Sequence, residues 1–435
     1  MCAGASRAED GRMRILFVTQ GYAPAVGGTE LYMRRVAEEL VRRHSDDVTV
    51  FTTDGYNVEG FADPWAPRMA IGETSISGVK VRRFGVARRL GRLLRWPQSI
   101  AFHLRLPLND WLRTAYQGPI VPGLARAIRE APADVVCASS FPLLHMYTAL
   151  HAAHTTGRPC ALHGSVHPED RWGYDRAMLR RALRVGEAYL ANTDYEARWA
   201  VQNGARADRV HVVTPGVDAE AVAGVSSAEA RQRLGLGAGP VVGFVGQFGG
   251  HKGLDTLLEA MPVVWAERPD SQLLLAGART RFWRESGNAV AARLAHLPGR
   301  VVVRPDFEEA EKPLLYNAME LLASPSGYES FGITFLEAWA AGKPVIACRR
   351  GAVPCVVTEG EDGLLVEYQN PADLARAILL LLNSQDLARK MGETGQRKVR
   401  ANYSWARAAE AYRLALVRVA GPATSSRSIA EIDRA

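Results

Sequence analysis

Glu329 and Glu337 are separated by seven residues within GYESFGITFLEAWAAGKPVI, residues 327–346. A strand ending at Ser324-Pro325-Ser326 precedes Glu329, and the spacing predicts a helix from about Phe331-Gly332, with Glu337 in its second turn. The backbone N–H groups of Gly332, Ile333 and Thr334 are then unpaired helix-start donors, a ready site for an anion. Gly332 has no side chain, so a phosphate can come close to that backbone. A carboxylate at Glu337 suits hydrogen bonds from the vicinal hydroxyls of a ribose. On spacing alone, a helix with ordinary surface glutamates fits equally well.

These residues need elements to hold them. Arg14–Thr19 is a continuous apolar run of the kind found in strands buried on both faces. The loop GYAPAVGGTE follows, and then Met33, Val36, Ala37, Leu40 and Val41 recur at helical spacing. Val48 to Thr53 is the next strand. The chain therefore opens as a βαβ unit whose Gly-rich turn, with Gly27 and Gly28, sits where phosphate-binding turns sit. A simple turn is the plainer reading of that glycine pair, and Glu30 suits the positive end of the helix behind it. Further strands are predicted at 134–138, 159–162, 188–191 and 211–214, with a helix around 143–154.

Ala219–Gly239, rich in Ala, Gly and Ser, is read as a hinge leading to a helix near Ala228–Leu234. A second series begins at Val241–Val245, with a loop Gln247–Gly253, a helix carrying Leu257, Leu258, Met261, Val264 and Trp265, and strands at 272–276, 301–303, 321–324 and 345–347. Each half reads as an open, doubly wound α/β sheet, and two such halves face their ligand loops across a cleft. The predicted boundaries are 13–217 for the first domain and 218–402 for the second. Residues 403–420 form a helix crossing back, and 1–12 and 421–435 are loose tails.

Composition sets the outer limits. A chain of 435 residues exceeds one hydrophobic core. Five scattered cysteines without a CxxC pair suit a reduced, cytosolic protein with neither disulfides nor a zinc site. No apolar run reaches the ~20 residues that span a bilayer. The net charge of +7 would suggest nucleic acid, but its distribution argues against that reading. Between Thr74 and Asn109 lie Lys80, Arg82, Arg83, Arg88, Arg89, Arg92, Arg95 and Arg105 with no acid, and the rest of the chain sums to −1.

The segment SPSGYESFGITFLEAWAAGKPVIA, with its E-x7-E spacing, closely resembles the retaining glycosyltransferases of family four, which have the GT-B fold. The resemblance covers nearly the whole chain. GYAPAVGGTELYMRRVAEEL (21–40) is similar to the N-terminal Gly-Gly loop and helix of that family, and VVTPGVD (212–218) to its domain junction. VGQFGGHKGLDTLLEA (245–260) resembles the opening of the nucleotide domain, and Asn402-Tyr-Ser-Trp405 the start of the C-terminal helices that return to the first domain.

The resemblance implies sugar transfer from a nucleotide-diphosphate donor to an acceptor hydroxyl, with retained anomeric configuration and without a metal or other cofactor. The acceptor class is lipid-linked, carbohydrate or small-molecule. By family role, Glu337 binds ribose hydroxyls, Glu329 contacts the donor sugar, and Lys252 neutralises the departing diphosphate. Gly27 and Gly28 bring backbone N–H groups toward the donor phosphate or acceptor. His163, after the strand Cys160–Leu162, matches the family's active-site histidine, with His167 as its rival. Where the family carries an arginine, five residues before Lys252, this chain has Gln247. His251, Arg279 and Arg349 are the candidates to compensate. Cys355 replaces a glutamate of the family's pattern and reads as a buried small residue. A sugar-nucleotide 2-epimerase on the same fold and a non-catalytic scaffold are the competing functions.

Residues 80–96, KVRRFGVARRLGRLLRW, interleave Leu90, Leu93, Leu94 and Trp96 with arginines. They suit an interfacial amphipathic helix on an anionic membrane, on the inner face of the cytoplasmic membrane. A solvated flank of the acceptor cleft and a site for an anionic acceptor are the alternatives.

Overall fold

The computed structural model describes residues 12–25, 27–280, 283 and 300–421. The tails expected at 1–12 and 421–435 lie outside the described residues, apart from Arg12 and Gly421. The first sheet contains β1 (Arg14–Val18), β2 (Asp47–Thr53), β3 (Gly72–Ile76), β4 (Val79–Phe84), β5 (Val135–Ser139), β6 (Cys160–His163), β7 (Ala188–Ala191) and β8 (Val210–Val212). Their spatial order is β3-β4-β2-β1-β5-β6-β7-β8. Every neighbouring pair is parallel except β3 with β4.

The second sheet contains β9 (Val241–Val245), β10 (Gln272–Gly277), β11 (Val301–Pro305), β12 (Leu321–Ser324), β13 (Val345–Cys348) and β14 (Gly363–Val366). It is parallel throughout, in the order β11-β10-β9-β12-β13-β14. The direction of winding reverses between β9 and β12, and between β1 and β5 in the first sheet. Ligands of open α/β sheets bind outside the strand C-termini at such reversals. The loops after β9 and β12 carry Lys252 and Glu329, and the loop after β1 carries Gly27 and Gly28. The central strands are apolar along their whole length because helices cover both faces: every residue of β9 and of β12 is buried.

The hinge expected at 219–239 contains two short helices, Ala219–Ala223 and Ser227–Leu234. Ser226 caps the second by accepting from the Glu229 N–H, and Gly235 ends it in the left-handed region. The helix Trp405–Ala420 returns to the first domain. Trp405, Tyr412 and Leu416 are buried there with Phe17, Tyr32, Met33 and Leu40, and burying Leu416 alone contributes about 2 kcal/mol. At the junction, the Val217 N–H donates to the Tyr403 carbonyl at 2.9 Å, and any side chain at Gly216 would overlap the Ser404–Trp405 backbone.

Residues 80–96 are not one amphipathic helix. Val79–Phe84 is a strand, with Val79 and Val81 buried and Lys80 and Arg82 outward, the period-two alternation of a sheet. Lys80 pairs with Asp47 at 2.8 Å, and Arg82 lies 3.6 Å from Glu73. Arg83 donates to the Ala23 carbonyl. Arg88 is fully buried against Asp54 at 2.8 Å. Three of the eight cations of the basic stretch thus meet acids from outside it, Lys80 and Arg82 at the surface and Arg88 in the interior, and a fourth, Arg83, is spent on a backbone carbonyl. Among the described residues, no helix is long and apolar enough to cross a membrane.

Candidate active site at the domain cleft

Lys252 closes a short 3-10 turn, Gly250–Lys252, behind β9. Gly253 then takes a left-handed φ of 72°, and a Cβ there would overlap the Pro325 carbonyl. This close approach seats the lysine turn directly on the loop after β12. Two hydrogen bonds join the loops, from the Gly327 N–H at 2.9 Å and the Ser326 hydroxyl at 3.3 Å, both to the His251 carbonyl. As a result the Lys252 Nζ donates to Glu329 Oε1 at 2.6 Å. Burial by itself would raise the Glu329 carboxyl, but the charge and hydrogen bond of Lys252 carry it below the usual range. Glu329 is an ionised carboxylate.

The helix predicted near Phe331 runs Ile333–Ala340. Gly332 is its N-cap, with φ 95°, and a side chain there would collide with the Phe335 ring. Only glycine satisfies both conditions without strain. Ile333 packs against the first domain's core cluster, which includes Tyr22 and Tyr32. The helix start therefore lies across from the Gly-rich loop. In that loop Gly28 faces open space, whereas Gly27 lies under the carboxylate of Glu30. Glu30 is buried rather than presented to solvent. It accepts from Gln20 Nε2 at 3.1 Å, and burial raises its carboxyl.

Glu337 is buried, and both of its oxygens have donors. Tyr316 Oη donates at 2.5 Å and Lys312 Nζ at 2.7 Å. Neither partner was legible from the sequence, since the helix Lys312–Ala318 precedes β12 and shows only its packing pattern. A ribose hydroxyl reaching Glu337 would join or displace Lys312.

The fold places the two candidate histidines differently. His163 is the last residue of β6 and is fully buried. Its Nδ1 lies 3.0 Å from Tyr412 Oη and its Nε2 2.9 Å from Asn192 Oδ1. With both nitrogens engaged inside the first domain, it does not line the cleft. His167, four residues later, does. Its ring faces Tyr328 at 6.5 Å across the domains, and its Nδ1 is buried without a hydrogen-bond partner. Burial, then the Lys252 cation, lowers its pKa to about 4, so it is a neutral imidazole.

Gln247 follows β9 and is half-buried, its carbonyl accepting from the Gly249 N–H at 2.9 Å. The expected substitutes for a cation there are engaged elsewhere. Arg279 pairs with Asp306 at 2.6 Å and Arg349 with Glu359 at 2.6 Å. His251 is held neutral by burial and by Lys252, near pKa 4. Arg350 instead lies beside the Glu329 loop, with its guanidinium over Tyr328 at 5.1 Å and Tyr368 at 4.4 Å. Nothing in the run Cys348-Arg349-Arg350 separates the two arginines by sequence. Cys355 is exposed at the end of a short turn rather than buried, because Val353 takes the inward position.

Comparison with known proteins agrees with this architecture. Residues 226–398 match the family model described as glycosyl transferases group 1, and residues 27–216 match the glycosyl transferase 4-like domain. The D-inositol 3-phosphate glycosyltransferase of Nocardia farcinica is 34% identical over 271 residues, 60% of this chain and 59% of that one. Its counterpart in Corynebacterium glutamicum is 35% identical over 211 residues, 46% of this chain and 49% of that one. The chain thus aligns with about three fifths or less of the length of these two relatives. Among solved structures, Anabaena HepE in complex with UDP and glucose superposes with a TM-score of 0.70 at 20% identity, covering 93% of this chain and 99% of that one. The sucrose-phosphate synthase of Thermosynechococcus elongatus gives 0.69 at 20% identity, covering 93% and 100%. These likenesses establish the fold, two facing Rossmann-like domains of the GT-B type.

Proposed function

Because the chain belongs to the group 1 glycosyl transferases, with a glycosyl transferase 4-like first domain, we propose that it moves a sugar from a nucleotide-diphosphate donor to an acceptor hydroxyl with retention. The observation that carries this reading is the Lys252–Glu329 pair at 2.6 Å, set at the reversal point of the second sheet and faced by His167.

In this reading the bond from the anomeric carbon to the diphosphate oxygen breaks, and the bond to the acceptor oxygen forms on the same face. The acceptor's proton passes to the departing diphosphate oxygen, so no side chain has to become a nucleophile. Charge grows on the diphosphate as the bond breaks. Lys252 and the N–H groups of Ile333 and Thr334 meet that charge and stabilise the transition state more than the ground state. Glu329, held ionised by Lys252, accepts from donor-sugar hydroxyls and orients the ring. It is not placed as a covalent nucleophile, in contrast to retaining glycosidases. Glu337 takes the ribose, and Gly28, open to the cleft, lets the donor approach the first domain. Arg350 is the cation best placed to offset the missing arginine at Gln247.

The reading includes acceptors of glycolipid, polysaccharide or other glycoconjugate synthesis. It also includes a peripheral position on the inner face of the cytoplasmic membrane, supported by the exposed cations of residues 89–105.

The test is a thermal-shift screen against UDP, GDP, ADP and their sugars, since the right donor raises the unfolding midpoint by mass action. Anomeric analysis of the product follows. An epimerised free nucleotide sugar formed without acceptor would replace transfer by epimerisation.

A further inference from the structure

Between β4 and β5 the chain makes a helical excursion: Arg88–Leu93, Arg95–His103 and Asn109–Gln117. Its inner side is well fixed. Arg88 is buried on Asp54, Gly91 lies against the backbone of Phe61 and Ala62, and Gln98 and Ala101 are buried. Its outer side is unusual for a protein in water. Leu93, Trp96 and Leu108 are 71%, 72% and 73% exposed, and Leu90, Ile100 and Leu104 are exposed with them. Residues 102–108, FHLRLPL, are exposed without interruption. Single exposed leucines need no explanation, but a contiguous apolar face does, because it marks a surface built to be covered.

The charges around that face select what covers it. Arg89, Arg92, Arg95 and Arg105 are exposed among the apolar residues, and no acid occurs from Thr74 to Asn109. An apolar crest interspersed with cations complements an anionic lipid surface, where the leucines and tryptophan enter the acyl boundary and the guanidinium groups meet phosphates. A second copy would set the same cations against one another.

The position of the face adds a functional consequence. Arg113, on the last helix of the excursion, donates to the Trp172 carbonyl at 2.7 Å. Asp110 accepts from the Ala177 N–H at 2.6 Å, and Arg176 donates to the Thr114 hydroxyl at 2.7 Å. These bonds fasten the excursion to the segment that begins at His167, the first-domain wall of the cleft. We infer that the excursion Arg88–Leu108 is a docking face for an anionic bilayer, which holds the cleft's acceptor wall at the membrane. This deepens the membrane placement given above, yet it needs no sugar transfer to be true, so binding can succeed where turnover fails.

The full chain is tested by co-sedimentation with phosphatidylcholine vesicles, alone and with phosphatidylglycerol. The wild type should bind the anionic vesicles and be released by salt. Arg89→Gln/Arg92→Gln/Arg95→Gln should lower the partition coefficient by roughly a hundredfold, and Leu93→Glu/Trp96→Glu at least as far. Because the substituted positions are exposed, unchanged unfolding midpoints check that both variants fold. Wild-type protein that ignores anionic vesicles, or variants that bind as it does, would overturn the inference. So would a dimer in light scattering that Leu93→Glu/Trp96→Glu converts to monomer, because the face would then be a contact between copies.

Discussion

The Nδ1 of His163 and the phenol oxygen of Tyr412 lie 3.0 Å apart although the two residues are 249 positions apart in the chain. Tyr412 belongs to the returning C-terminal helix and also touches Cys137 and Met33. The histidine at the end of β6 therefore fastens that helix to the first sheet, and His167, four positions further on, faces Tyr328 of the second domain.

The two histidines should separate by measurement. His163→Ala strands Tyr412 and Asn192 in the core and should lower stability by about 1–3 kcal/mol, seen as a lower unfolding midpoint. His167→Ala should leave the midpoint close to wild type and lower kcat. The reverse outcome would return the reaction centre to His163.

Lys252→Ala should lower kcat by roughly two to three orders of magnitude, the usual effect of removing one donor to a developing oxyanion. Glu329→Gln keeps the shape but loses the charge opposite Lys252, and should reduce kcat with little change in donor affinity. Full turnover in Glu329→Gln would remove that residue from the sugar site.

Gly253→Ala should be costly for local reasons. A left-handed φ costs about 1–2 kcal/mol outside glycine, and the added methyl must also displace the Pro325 carbonyl. The midpoint should fall, and kcat should fall with it, because Lys252 is the next residue. A variant as stable and active as wild type would show that the two loops are not held together this way.

Stability should decline in mild acid. His145, His163, His167 and His251 are each lowered to about 4, first by burial. An unfolded histidine takes its proton near pH 6.5. Between about 6.5 and 4 the unfolded chain thus binds more protons, and stability drops as pH falls through that window. Glu196 acts oppositely: burial raises it to about 7, so from about pH 7 down to the ordinary carboxylate range the folded state gains. Glu30, also raised by burial, adds to that gain, but four imidazoles against two carboxyls give a net loss, measured as unfolding midpoint against pH. A midpoint that holds steady from pH 6.5 to 5 would contradict the neutral state of these rings.

Much of the fold was legible because strands buried on both faces announce themselves as apolar runs, as at Arg14–Val18 and Val241–Val245. The strand Val79–Phe84 was not, because two of its outward positions and one inward position are cationic, and local charge hid the alternation. The Glu329 and Gly332 geometry was legible because spacing and a helix start are local. Lys312, Tyr316 and Arg350 were not, since each reaches the site through space from an element with an ordinary packing pattern.

By itself the sequence determined which loops carry the chemistry: strand order along the chain places Lys252 behind β9 and Glu329 behind β12. Only the tertiary structure decided which side chains meet. Two neighbouring strands and the Gly253–Pro325 contact bring that lysine and carboxylate within 2.6 Å. The return of one C-terminal helix removes His163 from the cleft. Both outcomes depend on long-range packing, where the energy of burial and pairing is set by residues far apart in the chain, and no local window of sequence holds both partners.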